Sequence, residues 1–362
     1  MAKTSVNICG IEFKNPVIAA AGPPTRDAEM IIKCAQGGVG GVVSKTISTK
    51  AAKIPKPCMA TFGEKFLNTE LWSELTPEHW IEHEYENSRK SGVPIIVGLG
   101  YKEDEIANLV PRVDKFADAY EISAHYVGRD IRAVTGPLEA AKAHTDKPVF
   151  MKISPGVADV GKFASMLESE GADGIVAINS VGPCLSIDVE TGLPRMGSQL
   201  GYGWMTGSAI KPIALRHVYE ICKAVSIPVF GVGGVSSGKD AIEMIMAGAS
   251  AVQVCTEAII HGHDAFGKIA REIDEWLDLH GYNSLDEIRG ITIGKMKKRE
   301  SALYKTVFPS VIQDKCIGCG NCKTSCMYDA ISIADKKAFI DRSKCFGCGL
   351  CTTKCKFGAI KL

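Results

Sequence analysis

The chain has almost no surplus charge. Lys and Arg number 42 against 41 Asp and Glu, and no long basic run is present, which argues against a nucleic-acid surface as its main business. No apolar stretch reaches the ~20 residues needed to cross a bilayer, and the opening Met1-Ala2-Lys3-Thr4-Ser5-Val6-Asn7 lacks the apolar segment of a signal peptide. The expectation is a soluble cytoplasmic protein without a membrane or nucleic-acid partner. Aromatic residues are scarce at 7%, yet 46% of the 362 residues are hydrophobic; that suits one large core plus a small module. Six cysteines (Cys9, Cys34, Cys58, Cys184, Cys222, Cys255) lack metal-ligand spacing and read as free thiols in a reducing compartment. A dinucleotide fingerprint is missing as well: after Gly231-Val232-Gly233-Gly234-Val235 the third glycine's place holds Ser236, so no nicotinamide site is expected on this chain.

What is present is concentrated near the C-terminus. Eight of the 14 cysteines form two copies of C-x-x-C-x-x-C-x-x-x-C between Cys316 and Cys355. In such double runs the fourth cysteine of each ligates the cluster held mainly by the other. Cys316, Cys319, Cys322 and Cys355 are therefore expected to hold one [4Fe–4S] cluster, and Cys345, Cys348, Cys351 and Cys326 the second. A zinc ribbon also uses paired C-x-x-C ligands, but it needs two pairs per ion, whereas each run has three close cysteines plus a fourth. Ala330-Ile331 recurs as Ala359-Ile360 at the same offset, so the module is an internal repeat. Such clusters pass single electrons; the rest of the chain must supply a two-electron cofactor, most simply a flavin.

Eight short apolar runs precede the module: Val17 to Ala21, Gly41 to Ser44, Pro94 to Leu99, Ala119 to Ser123, Pro148 to Lys152, Gly174 to Ile178, Pro228 to Val232 and Ala251 to Val254. Helical patterns fill most intervals, at 28–36, 103–116, 137–144, 161–170, 210–224 and 239–246, with a last helix at 266–279. Eight alternating units predict a (β/α)8 TIM barrel over residues 1–283, a linker over 284–310 and a ferredoxin-like double-cluster domain over 311–362. The basic run Lys295-Met296-Lys297-Lys298-Arg299 reads as solvated linker. Two intervals, 45–93 and 179–227, are too long for simple crossovers and leave the carboxyl ends of strands, where barrels carry their active sites.

Gly233-Gly234 after the seventh strand and Cys255-Thr256 after the eighth offer backbone amides for a phosphate; the alternative is glycine serving the turns alone. Lys45 and Lys152 leave the ends of strands two and five. A lysine beside a flavin's pyrimidine edge favours the anionic reduced ring; paired structural salt bridges are the alternative.

Several stretches together resemble the FMN barrel of dihydroorotate dehydrogenases, and more closely that of dihydropyrimidine dehydrogenase, whose barrel is also followed by a double-cluster module. They are Asn15-Pro16-Val17 before Ala20-Ala21-Gly22, Lys45-Thr46, Phe66-Leu67-Asn68-Thr69-Glu70-Leu71, Lys152-Ile153-Ser154-Pro155, Asn179-Ser180, the run from Thr206 to Arg216, Gly233-Gly234, and Gly248-Ala249-Ser250 before Gln253-Val254-Cys255. The resemblance covers almost the whole chain. It implies FMN held by Ala20, Ala21, Gly22, Lys45, Thr46, Lys152, Asn179 and Ser180, with Gly207, Ser208, Gly233, Gly234, Cys255 and Thr256 around ribityl and phosphate. It places Asn68, Glu70, Asn179 and Ser180 at the substrate and implies a homodimer or hetero-oligomer. With electrons passing through the clusters and no nicotinamide site on the chain, the expected electron partner is a ferredoxin or a separate NAD(P)H-oxidising flavoprotein subunit. The proline that usually follows the fourth cysteine of each run is replaced by Met327 and Lys356.

One loop departs from the pattern. Where the family writes Glu-Leu-Asn-x-Ser-Cys-Pro, this chain has Glu121-Ile122-Ser123-Ala124-His125-Tyr126-Val127. Ser123 replaces the asparagine that holds the ring, and Tyr126 replaces the cysteine that transfers a proton. The expectation is a substrate other than a standard pyrimidine, with hydride exchanged at one carbon and a proton from Tyr126 or His125 at its neighbour, Lys45 assisting. Two alternatives stand beside it: dihydropyrimidine or dihydroorotate chemistry with a substituted acid, and an electron-transfer subunit that turns over nothing. A tRNA dihydrouridine synthase fits less well, because the charge balance offers no RNA-binding face. Trp72 is expected either to cap the substrate pocket or simply to pack; Cys58, in the same loop, has no base placed beside it by sequence.

Overall fold

The computed structural model describes residues 3–63, 65–123, 130–299 and 307–362. The chain divides into two compact units, Met1–Lys295 and Met296–Leu362. The boundary falls inside the stretch expected as a linker, and Leu285 and Ile288 are buried in the first unit's core.

In the first unit a hairpin of β1 (Val6–Ile8) and β2 (Ile11–Phe13) precedes a closed parallel barrel. The barrel strands are β3 (Val17–Ala19), β4 (Gly41–Val43), β7 (Ile95–Leu99), β8 (Ala119–Ser123), β9 (Val149–Ile153), β10 (Gly174–Ala177), β13 (Val229–Val232) and β14 (Ala251–Val254). All eight expected runs became strands. Every one of their residues is buried, as continuous β-branched runs covered on both faces require. Asp27, Asp159 and Ser237 accept hydrogen bonds from Met30, Lys162 and Asp240 amides at the starts of the helices Ala28–Gln36, Val160–Ser169 and Gly238–Met246. These caps satisfy otherwise orphaned donors and set where the chain turns back along the barrel.

Several helices differ from expectation: Thr256–His261 has no counterpart among the expected ones, and Ile291–Arg299 is helical where the sequence reads as solvated linker. The helix expected from Pro137 runs Arg132–Lys142, with the proline inside it. The missing N–H costs a bond, offset by burial of Val134, Leu138 and Ala141 against the core.

The two long intervals meet each other. β5 (Met59–Phe62) and β6 (Lys65–Asn68) come from the first, β11 (Val181–Leu185) and β12 (Tyr202–Thr206) from the second, and they build one antiparallel sheet in the order β11-β12-β6-β5. Asn68 pairs with Trp204 across its centre. The sheet is tied to the strand ends by bonds from Ser73 N to the Thr46 carbonyl (2.7 Å) and between the Thr256 and Thr206 hydroxyls (3.0 Å). Among the described residues no helix is long and apolar enough to cross a membrane.

The second unit is a repeated fold. β15 (Ser310–Val311) pairs with β18 (Ile360–Lys361), and β16 (Ile331–Ala334) with β17 (Lys337–Ile340), all antiparallel. Short helices start at Gly320 and Gly349, whose φ values of 80° and 77° lie in the region that favours glycine. Cys322, Ile331, Ala338, Cys351 and Ile360 form its small core.

Candidate active site

The interior of the barrel holds charge. Lys152 Nζ lies 3.1 Å from Glu121 Oε1, with both side chains buried, and Gln253 Nε2 donates to Glu121 Oε2 at 2.6 Å. One strand step further, Ser123 aligns with Lys152 in the β8–β9 register. At the strand-end rim, Lys45 is paired with Glu70, the lysine 3% and the carboxylate 15% exposed. Glu70 N donates to Asn68 Oδ1 at 3.3 Å, and Asn68 Nδ2 to the Trp204 carbonyl at 3.3 Å. The neighbouring Cys58 thiol also bonds to Glu70; burial first, then that bond and the carboxylate's charge, raise it above the ordinary thiol range. Thus Lys45 and Cys58 converge on one carboxylate.

Cys255 links the two groups. Burial pushes its thiol up to about 11, against the pull of Lys152 and Lys45 and with a smaller push from Glu70. All three charges therefore lie within electrostatic reach of one sulfur. Gly22 packs against it so closely that a Cβ there would stand 2.6 Å from Cys255 Sγ.

Next to this lies a glycine cradle. A Cβ on Gly234 would meet Lys211 N at 2.8 Å and the Gly207 carbonyl at 2.9 Å, and one on Gly233 would meet Ala214 Cβ at 2.8 Å. Gly207, Gly233 and Gly234 have φ values of 76°, 122° and 78°. Only bare backbone fits, which lets the amides of both loops and the turn Ser208–Ile210 face a bound anion directly. Lys211 is held away from this role by Asp240 (2.5 Å) and Glu243 (2.7 Å).

These residues fit FMN. The cradle of Gly207, Ser208, Gly233 and Gly234 suits the phosphate, Lys45 and Lys152 suit the isoalloxazine ring, and Gln253 Oε1 is a buried acceptor without a protein partner, of the kind a ring N–H satisfies. Ala20 is buried with its amide on the Val254 carbonyl at 2.9 Å, and Asn179 N bonds to the Ile153 carbonyl at 2.9 Å, so both loops are fixed by the barrel. Asn179 Nδ2 donates to Ser123 Oγ at 3.3 Å, while its Oδ1 accepts from Ser180 N at 2.8 Å. Each end of this amide is engaged inside the protein, leaving one N–H and one lone pair for a ligand.

Trp72 donates from Nε1 to the Lys50 carbonyl at 2.6 Å and meets Tyr101 edge-on at 5.6 Å. That contact fixes the indole in its loop. Tyr126 and His125, expected as proton donors, lie outside the described residues. Sequence reasoning passed over Glu121 and Gln253 as site residues, although a charged and an amide side chain inside two otherwise apolar strands were a usable signal.

In the second unit the cysteines ring two cavities. One is lined by Cys316, Cys319, Cys322 and Cys355. The other is lined by Cys326, Cys345, Cys348 and Cys351, with Cys322 on the shared wall. Among the described residues no three His, Cys, Asp or Glu side chains converge as a single metal ion would require. Four thiols around a larger space match an iron–sulfur cube, each taking its fourth ligand from the other run.

A family model described as dihydroorotate dehydrogenase matches residues 3–277, and one described as a 4Fe-4S dicluster domain matches residues 315–359. The dihydroorotate dehydrogenase B (NAD(+)) catalytic subunit of Pyrococcus abyssi is 33% identical over 299 residues, covering 80% of this chain and 98% of that protein. The subunit of the same name from Methanosarcina acetivorans is 36% identical over 301 residues, covering 79% of this chain and 95% of that protein.

Proposed function

The chain belongs to the dihydroorotate dehydrogenase family, and from that premise we propose that it interconverts C–C and C=C bonds activated by a carbonyl or ring nitrogen, in a compound other than a standard pyrimidine. It is an oxidoreductase acting on CH–CH bonds, with FMN and [4Fe–4S] clusters as cofactors. Bound FMN supplies the hydride chemistry and exchanges electrons singly with the clusters.

The observation that carries this reading is Ser123. It occupies the rim end of β8 and takes up the Asn179 amide. A hydroxyl cannot present the paired donor and acceptor with which an amide holds a lactam edge. The charges of the site are also balanced, Lys45 by Glu70 and Lys152 by Glu121, which suits a neutral substrate better than an anionic one. Asn68, Glu70 and Ser180 hold the substrate in this reading, and Trp72 bounds its pocket. Tyr126 Oη holds the proton, since an ordinary phenol with a pKa of about 10 stays protonated at neutral pH; the His125 ring is the competing donor.

Electrons reach or leave the clusters through a ferredoxin or a separate NAD(P)H-oxidising flavoprotein subunit. The relatives' name, catalytic subunit, supports a separate partner. Exposed Leu185, Val189, Leu193, Leu200 and Tyr202 on the insertions support association into a homodimer or hetero-oligomer.

Dihydroorotate chemistry is the second reading, favoured by the relatives' names and by Asn68 and Asn179. The test is anaerobic reoxidation: the reduced protein is mixed separately with orotate, uracil, thymine and a panel of neutral enones and N-heterocycles while flavin absorbance is followed. Recovery with a neutral panel compound alone is expected. Recovery with orotate establishes the second reading, and recovery with uracil or thymine removes the proposal.

A further inference from the structure

The two halves of the cluster module are related by a displacement of 29 residues, from Cys316 to Cys345 and from Cys326 to Cys355. Their apolar walls obey the same displacement. Ile317 and Phe357 line the first cavity, and their counterparts Phe346 and Tyr328 line the second. Polarity of these four side chains therefore does not separate the two sites, although Asn321 on the first wall has Leu350 as its counterpart on the second.

The amides do. Ala338 lines the first cavity and its N–H donates to Cys316 Sγ at 3.3 Å, while Ala359 N–H donates to Cys355 Sγ at 3.2 Å. The counterpart of Ala338 is Pro309, which lines the second cavity and has no N–H to give. Among the described residues, no sulfur of the second set receives a backbone N–H from another residue. A charge differs in the same sense: Lys337 Nζ donates to the Cys316 carbonyl at 2.8 Å and the Gln313 carbonyl at 2.6 Å, and its counterpart is Phe308.

Reduction adds one negative charge to a cluster. Hydrogen bonds to the sulfurs and a nearby ammonium stabilise that charge and raise the reduction potential. We propose that the two clusters are energetically unequal: the one held by Cys316, Cys319, Cys322 and Cys355 is the more easily reduced, and Pro309 keeps its neighbour low. In the exchange, the reduced second cluster is oxidised by one electron and the first is reduced by one, with no proton moved. An electron entering the module therefore comes to rest on the first cluster. This holds whatever the organic substrate is.

The test is a stepwise reductive titration of the full-length holoprotein followed by electron paramagnetic resonance, with iron content checking that both clusters are present in every variant. Two separate potentials are expected. Lys337→Met should lower the upper potential and leave the lower in place; Pro309→Ala, which restores an N–H, should raise the lower and narrow the gap. A single shared potential in the unaltered protein overturns the proposal. So does a Lys337→Met effect on the lower wave, or a lower wave that stays put in Pro309→Ala.

Discussion

Glu121 and Gln253 stand on strands diametrically opposed in the eight-stranded barrel, and their side chains meet at 2.6 Å across its interior. With Lys152 on the other carboxylate oxygen, this bond closes a polar layer in an otherwise apolar core. Glu121→Gln keeps the shape and removes the charge, leaving Lys152 uncompensated. Taking away one partner of a buried pair costs about 3–5 kcal/mol, so the melting temperature of the holoprotein should fall. The freed cation should also raise the flavin's potential in a spectroelectrochemical titration. Unchanged melting and potential would show that the pair contributes neither stability nor field.

Gly234→Ala should release the flavin. The new Cβ would lie 2.8 Å from Lys211 N at a φ of 78°, and left-handed backbone alone costs an L-residue about 1–2 kcal/mol. The purified variant is expected to bind FMN at least about tenfold more weakly, a difference of about 1.4 kcal/mol, with its far-ultraviolet circular dichroism retained. Full flavin content would mean that the cradle is not a phosphate site.

Tyr126→Phe should leave FMN content unaltered and slow flavin reoxidation by substrate about 10²–10⁴-fold, the usual contribution of a positioned acid. His125→Gln is the companion. Whichever variant keeps its rate is not the donor, measured by stopped-flow absorbance.

Cys58 should resist alkylation near neutral pH. Its thiol is raised by burial and by Glu70, and the thiolate is the reactive form; at a given pH less of it exists than in an ordinary cysteine with a pKa near 8.5. The rate should climb only at higher pH. Glu70→Gln lowers the thiol toward its ordinary value and should speed labelling at about pH 8, read by mass spectrometry of the peptide carrying Cys58. Equal rates in both proteins would remove the Glu70 bond as the cause.

The barrel strands were legible because parallel strands covered on both faces need unbroken apolar, β-branched runs, and runs such as Ile95-Ile96-Val97 satisfy nothing else of that length. The insertions were harder to read. β5, β6, β11 and β12 are largely half-exposed and contain Gly182, Pro183 and Gly203. Although β5 pairs with β6 and β11 with β12 locally, the join that makes one sheet, β6 with β12, links residues more than 100 positions apart and is not written in local pattern. Glu121 was visible as an intruder in an apolar strand, but its partner could be named only once the barrel closed.

The sequence alone named the cysteines expected to hold the clusters, because that chemistry is written in short spacings, and it determined the eight-unit barrel, because local hydrophobic period dictates each strand and helix. Tertiary structure decided what those elements bring together: Lys45 with Glu70 and Cys58, Glu121 with Lys152 and Gln253, and Ala338 with Cys316 where Pro309 leaves its own counterpart bare. Those relationships join residues up to 132 positions apart. Chain closure sets such contacts, and no local pattern encodes them.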